Sequence, residues 1–174
     1  MKLYSKHYQN QLRKLHQLKS SFGSAGKYKG LNEWIDKWSP QSLTDYGCGK
    51  GNVMKEIGKR YPTCHLQGYD PGVVEYNQIP EFATDLLMCT DVLEHIEPEM
   101  IDNVLQHINT LFKKSAFLLI DTREAIKTLP DGRNAHLIIE GKDWWTEKVT
   151  KNIKGNVVVN ALQKQQKILM VVDK

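Results

Sequence analysis

The chain has 174 residues, a formal net charge of +4, 40% hydrophobic and 25% charged residues. That is the size of one domain and the composition of an ordinary globular protein, which excludes a disordered or fibrous class and argues against a separate recognition domain. No apolar stretch approaches the ~18 residues of a membrane span, the start lacks the apolar run of a secretory signal, and Cys48, Cys64 and Cys89 form no Cys-x-x-Cys pair, so a reducing, cytoplasmic setting is expected.

Residues 3–20 carry Leu12, Leu15 and Leu18 among polar residues, a spacing that predicts an amphipathic helix, broken by the Ser- and Gly-rich run 20–26. Lys2, Lys6, Arg13, Lys14, Lys19, Lys27 and Lys29 all precede the first acid, Glu33, which suits either an anionic partner or a solvated helix face. A second short helix is expected over 31–38, with Leu31, Trp34, Ile35 and Trp38 on one face and Asn32 as a weak cap. Strands are expected at 42–46, 65–69, 86–90 and 116–120, with helices at 52–61 and 98–112 between them. Residues 156–162 and 168–172 read as a closing hairpin. This alternation predicts an α/β fold, a Rossmann-like open, mostly parallel sheet with a C-terminal antiparallel hairpin.

Asp45, Tyr46, Gly47, Cys48, Gly49, Lys50 and Gly51 fall where the first strand turns into a helix, and Asp70 lies at the end of the next strand. Glycines there let the backbone bend and approach a ligand closely, and a carboxylate after the second strand can accept ribose hydroxyls. The loop is Gly-x-Gly-x-Gly behind an acid rather than Gly-x-Gly-x-x-Gly. A carboxylate beside the loop suits an ammonium or sulfonium better than a phosphate.

These residues, with Tyr69-Asp70-Pro71 and the later Asp91-Val92-Leu93-Glu94-His95-Ile96, resemble the class I S-adenosylmethionine-dependent methyltransferases over roughly residues 42–122. The resemblance implies S-adenosyl-L-methionine as cofactor. It places Gly47 and Gly49 on its methionine part, Asp45 towards its amino group through the loop and Asp70 on its ribose, with Thr90, at the end of the following strand, as a further cofactor-binding residue. The chain departs from the family between Asp70 and Asp85, where 15 residues replace a helix, a third strand with an adenine-side acid, and another helix. One crossover alone needs about 10–12 residues, so the family's third strand is expected to be reduced or absent.

Asp91, Glu94 and His95 are spaced i, i+3, i+4, which brings two carboxylates and an imidazole to one face if a helical turn starts there. Two readings stand side by side: a cap with local hydrogen bonds, or a cation site. With His136 downstream, the set is similar to the small-RNA 3′-terminal 2′-O-methyltransferases and, more loosely, to the ubiquinone-pathway O-methyltransferases. That resemblance implies a divalent cation held by Asp91, Glu94, His95 and His136 near the acceptor hydroxyl, with Glu94, His95 and His136 as catalytic candidates. Asp91 stands where those families have Glu, and the segment around His136 is shortened. Mixed carboxylate and imidazole ligands suit manganese, cobalt, iron or zinc better than magnesium. Without a metal, His95 or His136 is the candidate base.

Trp144 and Trp145 are candidates for stacking on a planar acceptor, although adjacent residues of a regular element face different ways. The Asn/Asp-Pro-Pro-aromatic run of amino-methylating DNA enzymes and the Pro-Cys of cytosine-carbon enzymes are both missing. O-methylation of a small-molecule or RNA hydroxyl is therefore expected, RNA 2′-O-methylation included. The other class is a non-catalytic S-adenosylmethionine-binding or partner-regulating module on the same fold. The whole of 1–174 is expected to be one domain, with 1–40 a helical lid hinged at Phe22-Gly23 and acceptor specificity drawn from that segment and from loops at 122–155. The small size looks like methyltransferases of phage genomes, and nothing in the residues indicates an oligomeric state.

Overall fold

Two strands with uninterrupted apolar stretches, Thr84–Thr90 and Phe112–Asp121, occupy the centre of the sheet and are buried on both faces, as parallel strands between helical layers must be. The structure is a computed structural model and describes residues 1–18, 23, 28 and 30–174. In chain order the elements are α1 (Lys6–Leu18), α2 (Leu31–Trp38), β1 (Ser42–Tyr46), α3 (Asn52–Arg60), β2 (His65–Tyr69), β3 (Thr84–Thr90), α4 (Ile101–Thr110), β4 (Phe112–Asp121), α5 (Lys142–Asn152), β5 (Asn156–Leu162) and β6 (Lys167–Asp173). The six-stranded sheet has the order β2-β1-β3-β4-β6-β5. Strands β2, β1, β3 and β4 run parallel, and β6 and β5 close the sheet as an antiparallel pair.

Between β2 and β3 the only regular piece among the described residues is a 3-10 turn, Val74–Tyr76. The strand that the related fold places third is absent, as the 15-residue spacing requires, and β2 is an edge strand. One face of the sheet packs on α4 and α5 through Val104, Leu105, Ile108, Trp145 and Val149. The other packs on α2 and α3 through Leu31, Trp34, Ile35 and Ile57. The Trp34 indole N–H donates to Ser115 Oγ at 2.9 Å. Helix α2 is thus a layer of the core. Of the expected 1–40 lid, only α1 lies across the strand ends, and among the hinge residues Phe22 lies outside those described.

Several boundaries differ from the sequence expectation. Helix α1 buries Tyr8, Gln11, Leu12 and Leu15, while Leu18 is 76% exposed, because the apolar stripe follows a period nearer four than three. Gly30, with φ +86, caps α2, and Asn32 lies inside the helix. Phe112 starts β4 and does not end α4, which stops at Thr110. About a third of the expected 122–155 loop is helix α5, whose signal is only Trp145, Val149 and Ile153 at i, i+4, i+8 among polar and β-branched residues. Trp145 is buried against α4 and Trp144 packs edge-on to it at 4.9 Å, so neither lines the site. No helix among the described residues is long and apolar enough to cross a membrane.

Because Trp145 locks α5 to the sheet, Trp145→Ala is expected to lower unfolding stability by about 3–5 kcal/mol in urea titrations, with a cavity that the rigid sheet does not close. A loss under about 1 kcal/mol would show that α5 is marginal to the core.

Candidate functional site

Strand β1 runs into a loop whose glycines adopt conformations that side chains resist: Gly47 has φ +83 and Gly49 φ +53. A Cβ on Gly47 would collide with the Val92 side chain, and one on Gly49 with the carbonyl of Gly23. The N–H groups of Gly47 and Cys48 both donate to the Tyr69 carbonyl, at 2.6 and 3.0 Å, so the loop closes back over the end of β2. Asp70 continues this junction: its Oδ2 accepts from Gly49 N–H at 3.0 Å and its Oδ1 from Gly72 N–H at 2.8 Å. Asp45 lies beneath the loop, buried on β1. Burial, and after it the charge of Asp70, pushes its carboxyl up to about 8.

Two chambers open at the C-terminal ends of the parallel strands, where α/β sheets take their ligands. The first, ≈ 120 Å³, is lined by Tyr46, Tyr69, Asp70, Val92, Ile96 and residues of the N-terminal segment. The second, ≈ 390 Å³, is lined by Cys48, Thr90, Asp121, Arg123 and His136 among others. Gly47, Asp91 and His95 line both, so the chambers share a wall. Asp45 borders neither. Burial pushes the Cys48 thiol up, which suits packing rather than a nucleophile.

The candidate ligand residues meet at this wall. A 3-10 turn, Leu93–His95, follows β3, and Glu94 within it is fully buried. Its Oε1 accepts from the Asp121 N–H at 3.1 Å, and its backbone carbonyl accepts from the N–H groups of Leu137 and Ile138 at 2.8 and 3.0 Å. Those bonds draw the 134–138 segment onto the turn. His95 Nδ1 lies 2.7 Å from the Ala135 carbonyl and His136 Nδ1 2.5 Å from the Arg123 carbonyl. The two rings stand edge to face, 4.7 Å between centres. An imidazole facing a carbonyl must carry its hydrogen on Nδ1, which leaves the lone pair on Nε2, the arrangement metal-binding histidines use. One ligand atom from each of Glu94, His95 and His136 lies within 4.8 Å of the others. The Glu94 Oε2 is buried without a partner among the described residues.

Burial, and after it Asp91, pushes the Glu94 carboxyl up to about 8. Burial and the adjacent His136 hold His95 down to about 4. Such a cluster fits a divalent cation, whose charge would draw off the Glu94 proton and reinforce the neutral state of His95.

Asp91 is not part of the trio. Its backbone is left-handed, φ +54, and its carboxylate takes a 2.6 Å ion pair from Lys167 and a 3.4 Å bond from the Tyr28 hydroxyl. The i, i+3, i+4 argument needs a helix through Asp91, and the turn starts two residues later. The sequence reading missed Asp121, Arg123 and Lys167. Asp121 and Arg123 flank the end of a recognisable strand, but Lys167 arrives only through the hairpin. It also missed the tyrosines and His16 of the N-terminal segment, which carry no motif.

The fold is an open α/β sheet with a glycine cradle at the end of β1 and a carboxylate–imidazole cluster beside it. A family model described as a methyltransferase domain matches residues 5–158, and the chain belongs to that family. Among solved structures, an O-methyltransferase family protein from Burkholderia thailandensis superposes with a TM-score of 0.62 at 13% identity, covering 97% of this chain and 58% of that one. Human N-acetylserotonin methyltransferase in complex with SAM gives 0.60 at 15% identity, covering 96% and 55%. The methyltransferase domain of bacterial CtHen1 gives 0.57 at 15% identity, covering 83% and 95%. The chain thus spans a little over half the length of the first two. At these identities the likeness is one of fold. A comparison with curated protein sequences finds no match.

The raised Glu94 carboxyl makes a prediction for metal-free protein. Its folded value of about 8 against 4.5 means that its contribution to stability is full below about 4.5 and is lost as pH rises towards about 8. Glu94→Gln cannot ionise, so wild type should lose stability relative to this variant between about pH 5 and about pH 8.5 in denaturant titrations. A constant difference across that range would show that Glu94 is not held neutral. His95 acts in the opposite sense, its contribution present above 6.5 and lost as pH falls through about 4.

Proposed function

We propose that this chain transfers a methyl group from S-adenosyl-L-methionine to a hydroxyl oxygen, with Glu94, His95 and His136 holding a divalent cation beside the acceptor. The observation that carries this reading is the trio itself: ligand atoms within 4.8 Å, both Nδ1 positions taken up by backbone carbonyls, and a buried carboxylate oxygen left over. The glycine loop receives the methionine part of the cofactor, Asp45 faces its amino group from below, Asp70 takes the ribose and Thr90 borders the acceptor chamber.

Methyl transfer is an in-line displacement at carbon. The sulfonium brings its own leaving group, so the protein's work is alignment and the making of a nucleophile. A cation bound by the trio supplies Lewis acidity that lowers the acceptor hydroxyl's pKa. The chain's own residues set the geometry. Ala135 and Arg123 carbonyls orient the two imidazoles, Asp121 N–H holds Glu94, and the wall shared by the two chambers brings acceptor and donor together. Lys167 pairs with Asp91 and holds it apart from the cluster, so Glu94, His95 and His136 would be the residues that hold the cation. Cys48, Cys64 and Cys89 are free thiols, in keeping with a reducing, cytoplasmic setting.

Both a small molecule and an RNA end present such a hydroxyl, and one of the structural relatives is titled the small RNA methyltransferase HEN1. Incubation with tritiated cofactor and separate RNA and metabolite fractions decides between them. His136→Ala is expected to reduce methyl transfer by at least about 100-fold and to abolish the absorption bands of bound cobalt, with S-adenosylhomocysteine affinity unchanged. Full activity in this variant, or in chelator-treated wild type, would overturn the metal-assisted reading.

A further inference from the structure

With only a 3-10 turn between β2 and β3, the first chamber has no strand or helix beside it on the β2 side, and the N-terminal segment closes it instead. Leu3, Tyr4, Tyr8, Leu12 and His16 all line it. Helix α1 is fastened at both rims. At the Asp70 turn, Gln9 Nε2 donates to the Pro71 carbonyl at 3.2 Å, and Leu12 and His16 pack so closely on Gly72 that a Cβ there would lie 2.8 Å from each. At the opposite rim the Tyr8 hydroxyl donates to the His95 carbonyl at 2.6 Å, and Ser5 donates through N–H and hydroxyl to Glu97 at 2.7 and 2.6 Å. Between these anchors the His16 Nε2 stands 3.6 Å from Asp70 Oδ1, both side chains nearly out of solvent.

We propose that this segment is the nucleoside-recognition wall of the cofactor site, with His16 as a binding residue for the ribose. The inference rests on the reading of the chamber as the cofactor site. Asp70 accepts one N–H on each oxygen, from Gly49 and Gly72, which fixes the carboxylate plane and leaves each oxygen further accepting capacity at the chamber it lines. A ribose diol donates to those oxygens, and its own oxygens need a donor in turn. The His16 ring is the side chain from α1 that reaches this point. Tyr4 and Tyr8 contribute flat rings to a largely apolar chamber, the surface a purine needs. Adenosine recognition is thereby moved from the sheet's own crossover to an element that precedes the sheet in sequence.

The test uses the full chain and two probes, S-adenosylhomocysteine and 5′-methylthioadenosine, the second carrying the nucleoside without the amino acid. His16→Ala is expected to weaken both by about tenfold in calorimetry, and His16→Gln, which keeps a donor, to recover most of the loss. Melting curves of both variants check that the fold is kept. Equal affinity of wild type and His16→Ala for the two probes overturns the inference, as does a loss confined to S-adenosylhomocysteine or an equal loss in His16→Gln. Failure of wild type to bind S-adenosylhomocysteine overturns the cofactor reading itself, a result separable from the others.

Discussion

The wall between the two chambers depends on one buried residue. Glu94 joins three chain segments that are distant in sequence: its carboxylate takes the N–H at the end of β4, and its carbonyl takes two N–H groups from the 134–138 segment. Those bonds, with the His95–Ala135 and His136–Arg123 contacts, hold His136 against His95. A carboxyl excluded from water is costly unless it is neutral, paired or bound to a cation. Glu94 has one oxygen satisfied and the other unpartnered among the described residues.

The donor side follows a different economy. The glycine loop and Asp70 brace each other through backbone N–H bonds, which need no side chain from the missing crossover. Loss of that crossover shortens the chain but leaves the chamber open along the β2 edge. Helix α1 covers it, and its second small core, Tyr8, Leu12 and Leu15 on Leu129, ties the same helix to the segment that carries His136. One short helix therefore lines the first chamber and packs on the segment that leads to His136 in the second.

Much of this was legible in the residues. The central strands announce themselves as apolar runs, the loop by its glycines and the acid before it, and the lost strand by 15 residues of spacing, because chain length limits what can be crossed. The pairing of Glu94 and His95 with a distant His136 was also readable as a resemblance. Helix α5 was not, since tertiary packing of Trp145 and Val149 on α4 outweighs its weak periodicity. Nor was the exclusion of Asp91, which turns on a left-handed backbone and on Lys167 brought alongside by β6.

The sequence by itself determined the class of fold, the phosphate-avoiding glycine loop and the chemical identity of the cluster, because spacing and residue type constrain local geometry within a turn or a strand. Only the tertiary structure decided which of the four candidate residues converge and which element walls the first chamber. Both outcomes depend on contacts between residues tens of positions apart, and no local pattern records them.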